Sequence, residues 1–409
     1  MNHAYPDTWL IQKAGGAGIL WWRDWSVKWQ TVEPEAGKFD FRTADVQIDR
    51  VRKAGGKVVV LFPFPSSYWA SSGDPQVIAT QAKGNQYLAS RLPAAFAAKK
   101  IDDFKRYIGE SVKHYRDRGI TVYEVLNEPL YTTYALPAAF GYKMSDYVAH
   151  LEAAWTAAKA ADPKCLVIGG IGCGPGDGRA REFVESGGLK FCDIVDIHIY
   201  SAPSQFDYLE DSCKALAALM AKRGEPRPMW VTEFGVYADD DPAVTPPRTG
   251  DQTMERCVRS SEREASCDIV KLVSMFGAYG VEKVFFHAGT APAINQPNAG
   301  GVFFEWGGAP RKMYAAAAVL ARNLPPDARF VKADALGPGF KAYTYKTAAG
   351  LLTVAWSDEE GGRKLALRPG VAATDIMGNA LDGKSVQVDG TPIYLTAKGE
   401  DASVFAPLP

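Results

Sequence analysis

Net charge is nearly absent from this 409-residue sequence, in which 46 Lys and Arg stand against 47 Asp and Glu. That balance shows no overall electrostatic footprint for a nucleic acid or an anionic membrane surface. Long apolar runs are missing too, and no stretch approaches the roughly 20 residues of a membrane span. Cysteine is sparse, with six residues at 165, 173, 192, 213, 257 and 267. None of them forms a CxxC pair, which argues against a metal site and leaves buried thiols or a few disulfides as alternatives. The opening MNHAYPDTW has neither the basic region nor the apolar core of an export signal. What remains is 47% hydrophobic and 23% charged, the balance of a globular chain with a sizeable core rather than a disordered one.

The length allows two or three ordinary domains, or one α/β barrel of about 250 residues or more with an appendage. The pattern along the chain separates these. Strand-like runs at Ile19–Asp24, Lys57–Pro63, Thr121–Leu126, Cys165–Ile168, Asp193–Tyr200, Met229–Glu233 and Glu282–His287 alternate with helix-period segments. Lys57–Pro63 (KVVVLFP) is the continuous apolar run of a strand buried on both faces. Ile101–Arg118 places Ile101, Phe104, Ile108, Val112 and Tyr115 on one helical stripe and stops at Gly119. Seven strands each followed by a helix, with a helix at Asp7–Gly15 ahead of them, predict a (β/α)8 TIM barrel over residues 1–324. Its first strand is missing, or reduced to a stub within Met1–Tyr5; an open doubly wound sheet is the alternative. Past Leu324-Pro325-Pro326, alternating runs such as Lys341–Lys346 and Leu351–Trp356 are split by turn signals, so residues 325–409 read as a small antiparallel β domain.

Two carboxylates stand where such a barrel builds its active site, at the C-terminal ends of strands. One is Glu128, in Tyr123-Glu124-Val125-Leu126-Asn127-Glu128-Pro129, and the other is Glu233, in Trp230-Val231-Thr232-Glu233-Phe234-Gly235. Between them, period-2 alternation puts Asp196, His198 and Tyr200 on one face of a strand. One carboxylic acid that protonates a leaving oxygen and one carboxylate that attacks or stabilises an anomeric carbon split a glycosidic bond. Among other polar residues, Glu124 reads as support, Glu305 as a solvated loop carboxylate, and His114 and His150 as surface or packing residues on helices. The glycine-rich Gly169–Gly178 lacks the features of a phosphate loop and reads as a tight loop at the barrel rim. Ser66–Lys99 is long for a connection and carries Tyr68, Trp69 and Tyr87, while Tyr131, Tyr134, Phe140 and Tyr142 follow Glu128. Such aromatic faces either pack or stack on sugar rings.

The pair VLNEP and VTEFG, with HxY between them, resembles the retaining glycoside hydrolase clan built on (β/α)8 barrels. Within it, Gly18–Asp24 with Val32–Phe41, and Gly300–Phe304 through Pro310–Tyr314, are most similar to glycoside hydrolase family 39. That family includes β-xylosidases, α-L-iduronidases and exopolysaccharide endoglycosidases. The resemblance implies an acid/base at Glu128, a nucleophile at Glu233, and Asn127 bonding the sugar 2-hydroxyl. It also implies that His198 and Tyr200 contact the nucleophile and that Arg23 keeps it ionised. Many members have a Trp sugar platform on the eighth strand, where this chain reads Phe285-Phe286-His287; His287 or Trp306 is then expected to take that role, while Trp69 of the long loop is expected as a further sugar contact.

The function implied is retaining hydrolysis of an oligo- or polysaccharide by double displacement, with no metal or organic cofactor and no partner beyond the carbohydrate. A transglycosidase using the same site and a non-catalytic carbohydrate-binding barrel are the rivals. The even charge balance fits a largely uncharged glycan better than a strongly anionic one, leaving room for a local Arg or Lys that binds a uronate. Polysaccharide-degrading enzymes usually work outside the cytoplasm, so an extracytoplasmic location with an export signal upstream of Met1 is expected. The sequence does not reach oligomeric state, the sugar, or exo against endo attack.

Overall fold

The computed structural model describes residues 1–3, 7–238, 256–287, 302–305, 307–334, 337, 339–399 and 404. Seven parallel strands make the central sheet: β1 (Trp21–Asp24), β2 (Lys57–Phe62), β3 (Val122–Val125), β4 (Leu166–Gly170), β5 (Ile194–Tyr200), β6 (Met229–Gly235) and, after the short β7 (Tyr237–Ala238) and β8 (Val258–Arg259), β9 (Val281–Phe286). The order β1-β2-β3-β4-β5-β6-β9 follows the chain, as a barrel requires and a doubly wound sheet does not.

The gap between β1 and β9 is bridged by the stub foreseen in the sequence. Asn2 forms parallel bridges to both Arg23 and His287. The Asn2 N–H donates to the Phe286 carbonyl at 2.8 Å, the His3 N–H to Arg23 at 3.1 Å, and the Arg23 N–H to Met1 at 2.8 Å. Three residues thus occupy the place of a first strand at the C-terminal end of the barrel. With the stub counted first, β3 is fourth, β5 sixth and β6 seventh.

Helices cover the outside of the strands. Ile101–Arg116 buries Phe104, Tyr107, Ile108, Val112 and Tyr115, with Asp102 and Asp103 in its first turn and Lys113, His114 and Arg116 in its last, in the sense the helix dipole favours. Ile101, assigned to the buried stripe from its spacing, begins the helix and stays exposed. Inside the barrel, Trp21, Val59, Val122, Ile168, Ile194, Trp230 and Phe285 form an apolar plug. The six cysteines are all buried free thiols, which decides between the two alternatives the spacing left. No helix among the described residues is long and apolar enough to cross a membrane.

After the helix Lys312–Asn323 the chain turns to antiparallel structure. β10 (Arg329–Asp334), β11 (Phe340–Thr347), β12 (Gly350–Ser357), β14 (Val371–Asp375) and β16 (Ile393–Ala397) form one sheet, in the order β10-β11-β12-β16-β14. A separate ladder pairs β13 (Arg363–Ala366) with β15 (Ser385–Val388). Alternation splits β11 and β12 between two cores. Tyr343, Tyr345, Val354 and Trp356 join the core of the barrel helices, while Phe340, Ala342 and Ala355 face the second ladder.

Candidate active site

A cavity of about 1080 Å³ opens at the C-terminal ends of the barrel strands, with Asn127, Glu128, His198, Tyr200, Glu233 and His287 in its lining. Glu128 is delivered by the turn after β3. Leu126 and Asn127 donate their N–H groups to the Phe62 and Pro63 carbonyls at 2.9 and 3.2 Å, prolonging the pairing with β2. The chain then twists sharply, and Leu126, Glu128 and Leu130 all take positive φ (63°, 46° and 74°) without a glycine among them. Backbone held in that region costs about 1–3 kcal/mol per residue and concentrates where side-chain aim matters. Gly172 makes room opposite: with φ +60°, a Cβ there would sit 3.2 Å from the His198 ring and 3.4 Å from Glu128 Cγ.

Glu233 reaches the cavity through a β-bulge. Ile197 pairs with Val231, but His198 pairs with Glu233, so Thr232 is the extra residue. Strict alternation would put Glu233 on the outer face with Val231. The bulge turns Thr232 and Glu233 inward together: Thr232 Oγ1 meets His198 Nε2 at 3.1 Å, and Glu233 lines the cavity. Val231 and Phe234 stay outside against the helices.

The two carboxyl groups face each other across His198. Its Nδ1 lies 3.0 Å from Glu128 Oε1 and 3.6 Å from Glu233 Oε2, and a carboxyl oxygen of each glutamate lies within 4.8 Å of the other. Arg23 stands behind Glu233, fully buried, its Nη1 donating to Glu233 Oε1 at 2.8 Å. The rest of the guanidinium forks onto Glu124 (2.6 and 2.8 Å) and bonds Asn127 Oδ1 at 2.9 Å. Tyr200 donates its hydroxyl to Glu233 Oε2. Asn2 donates its amide to Glu233 Oε1 at 3.0 Å.

These contacts set the charges. Burial alone would favour a neutral Glu233, but the fields of His198, His287 and Arg23 and the Tyr200 hydrogen bond outweigh it and hold the carboxyl far below the usual carboxylate range. Burial also opposes charge on His198, and the carboxylates around it prevail, raising it to about 9. Asp196 goes the other way. Burial and the adjacent Glu124 push it up to about 8, against the pull of His198 and Arg23. His287 is pushed down by burial, and beside it His3 falls to about 4 for the same reason. The surroundings thus favour the ionised form of Glu233, the charged form of His198 and the protonated form of Asp196.

Glu124, Asp196 and His198, or Glu128, His198 and Glu233, cluster closely enough to offer three donors to a metal ion. Arg23 already bonds Glu124 in the first set and Glu233 in the second, and its charge disfavours a metal cation at either.

Most residues singled out in the sequence converge here, and three outcomes differ. Trp69 is not part of the cavity wall. Its indole bonds the Glu33 carbonyl at 2.9 Å and packs edgewise on Trp29, while its neighbour Tyr68 lines the cavity and is exposed. Trp306 lies outside the described residues. Of the aromatics near Glu128, Tyr131 and Tyr134 line the cavity, but Phe140 stacks on Phe96 and Tyr142 accepts from the Ala97 N–H. Glu124 is support, as read. Glu305 pairs with Arg311 at 3.1 Å, and His114 and His150 bond Asp45 and the Asp146 carbonyl away from the cavity. The Asn2 contact to Glu233 is not legible in the sequence, because a five-residue segment has no periodicity to show which side chain faces inward.

Residues 23–168, which include Glu128 but not Glu233, match the model of glycosyl hydrolase family 10. A search of curated proteins finds no match. Among solved structures, a family 39 glycoside hydrolase from the gut symbiont Bacteroides cellulosilyticus aligns with a TM-score of 0.66 and 18% identity, over 97% of this chain and 80% of that one. A family 39 β-xylosidase from Caulobacter crescentus gives 0.64 and 14%, over 98% and 95%. A family 30 xylanase from Clostridium acetobutylicum gives 0.63 and 12%, over 97% and 93%. The fold is that of the barrel glycoside hydrolases. Both the matched family model and these solved relatives are glycoside hydrolases.

Proposed function

We propose that this chain is a retaining glycoside hydrolase that acts by double displacement. The observation that carries the reading is the facing pair, with Glu233 ionised by buried donors and a Glu128 oxygen within 4.8 Å of it. Retaining enzymes keep their carboxyl groups about 5–5.5 Å apart, whereas inverting ones leave about 6.5–9.5 Å for a water. Glu233 attacks the anomeric carbon while Glu128 gives its proton to the departing oxygen. Glu128 then takes a proton from the water that releases the sugar from Glu233. Arg23, Asn2 and Tyr200 aim the nucleophile and keep it charged. Asn127, bonded through its Oδ1 to Arg23, keeps its amide N–H group for the sugar. A non-catalytic carbohydrate-binding barrel would be favoured by an unclosed barrel that held the pair loosely; Asn2, from the segment that bridges the gap, instead grips the nucleophile.

The test is hydrolysis of xylo-, galacto-, manno- and uronic-acid oligosaccharides by the parent chain and by Glu233→Ala. The substitution should abolish turnover, and azide should restore it with a product of inverted configuration. Full activity in Glu233→Ala would sink the nucleophile assignment. Acceptor products that dominate at high acceptor concentration would assign the same site to a transglycosidase.

A further inference from the structure

The cavity wall carries three cations that the chemistry above does not use. Of these, Arg256 bonds the Tyr200 carbonyl at 3.4 Å, and the other two are Lys28 and Arg91. Lys28 lines it, half-buried, and makes no side-chain hydrogen bond or ion pair among the described residues. It lies close enough to Asp24 for its field to be felt there, yet Asp24 is bonded to Ser26 instead. Arg91 also lines the cavity and has no carboxylate partner among the described residues. Its guanidinium lies 4.1 Å from the centre of the Tyr134 ring and 5.5 Å from that of Tyr87, and it bonds the Thr133 hydroxyl. Its Nε is buried with no hydrogen-bond partner. Aromatic faces hold such a group flat and lightly hydrated, with donors left at its edge for a planar, doubly bonded anion.

The acids of the same wall are engaged elsewhere. Glu233 is held by Arg23, Glu128 by His198, and Asp177 by Arg179 at 3.0 Å. Lys28 and Arg91 therefore leave positive charge on the wall that also carries Trp25 and Tyr134, whose rings meet edgewise at 5.7 Å. A concave, partly desolvated wall of one sign focuses its field on whatever enters. The near-zero charge of the whole chain says nothing against this, since the excess is local.

We infer that the substrate is an acidic glycan, and that the anionic substituent of one of its sugars binds to Arg91 and Lys28. The inference rests on the glycoside hydrolase reading for the sugar itself, while the anion preference stands on the two cations. A sugar carboxylate and a sulfate ester share the required chemistry, and both are tested.

Calorimetry on a Glu128→Gln background, which slows turnover, would compare uronate-containing oligosaccharides with their carboxyl-reduced forms and with sulfated counterparts. The anionic member should bind about tenfold more tightly or better than its neutral partner, the equivalent of one charge-assisted hydrogen bond. That advantage should shrink as salt rises. Arg91→Met and Lys28→Met should each remove most of it and leave the affinity for the neutral form within about twofold, a change too small to count as a lost contact. Preference for the sulfated over the uronate ligand, lost in the same variants, identifies an ester as the anion. Equal affinity for charged and neutral partners overturns the inference, as does failure of every anionic ligand to bind or an equal effect of the substitutions on both forms. Parallel assays without the background substitution keep the two readings apart. Acidic substrates cleaved by Arg91→Met and Lys28→Met as efficiently as by the parent sink the inference alone, whereas acidic ligands bound but never cleaved sink the hydrolase alone.

Discussion

Two zones inside the barrel sit two residues apart on the same strands and differ in every respect but scaffold. Trp21, Val59, Val122, Ile194, Trp230 and Phe285 make a dry plug. Two residues further along those strands stand Arg23, Leu61, Glu124, Asp196, Thr232 and His287, mostly polar and, apart from half-buried His287, buried. The plug follows from burial alone, since an apolar interior stabilises by leaving water. The zone above it has no such origin. A buried charge costs several kcal/mol unless it is paired, so Arg23 and Glu124 exist in company or not at all. Stability is thus built into one zone, and chemistry into another that the first supports.

Substitutions should separate the zones. The largest effect is expected at the cavity: Glu128→Gln should slow turnover by about 10²–10⁴-fold, the range of general acid catalysis, and leave the melting temperature unchanged. A matching loss of stability would mean that the carboxyl serves the fold. Arg23→Met should damage both functions, because it leaves Glu124 and Glu233 buried without their cation. Stability should fall by about 3–5 kcal/mol in denaturant titrations. The acid limb of the pH–activity profile should also move upward as Glu233 loses a field that keeps it ionised.

Within the plug, Trp230→Ala should cost about 3–5 kcal/mol and leave activity per folded molecule near the parent value. An intact stability with lost turnover would erase the distinction between the zones.

A further effect, on the pH dependence of stability rather than on activity, belongs to Asp196. It keeps its proton to about pH 8 in the folded chain, against an ordinary value of 3.8. Between those values the folded chain binds more protons than the unfolded one, so stability falls as pH rises across that window. Asp196→Asn should flatten this part of a melting-temperature profile, leaving the loss that His198 causes as pH rises toward its own value of about 9. An unchanged slope would show that Asp196 is ionised in the fold.

The plug and its strands were legible in the sequence because period and composition report burial directly. The seven strands and the helices read from the sequence shift by one or two residues at their ends. The two facing glutamates were legible from motif and strand position. Their aim was not. Period-2 alternation turns Glu233 outward with Val231, and only the extra residue at Thr232, which pairing with β5 reveals, brings it in. Trp69 and Tyr68 are adjacent on a loop without periodicity, so nothing in the sequence told which one faces the cavity. The even charge balance also averages away the local excess at Lys28 and Arg91, which only their place in the cavity lining brings out.

The account turns on Glu233 as a nucleophile with Glu128 beside it. Proton NMR of the first sugar released from a cleaved oligosaccharide, read before its anomers equilibrate, tests this directly. The account predicts the same anomeric configuration as the bond that was cut, and the opposite configuration would contradict it.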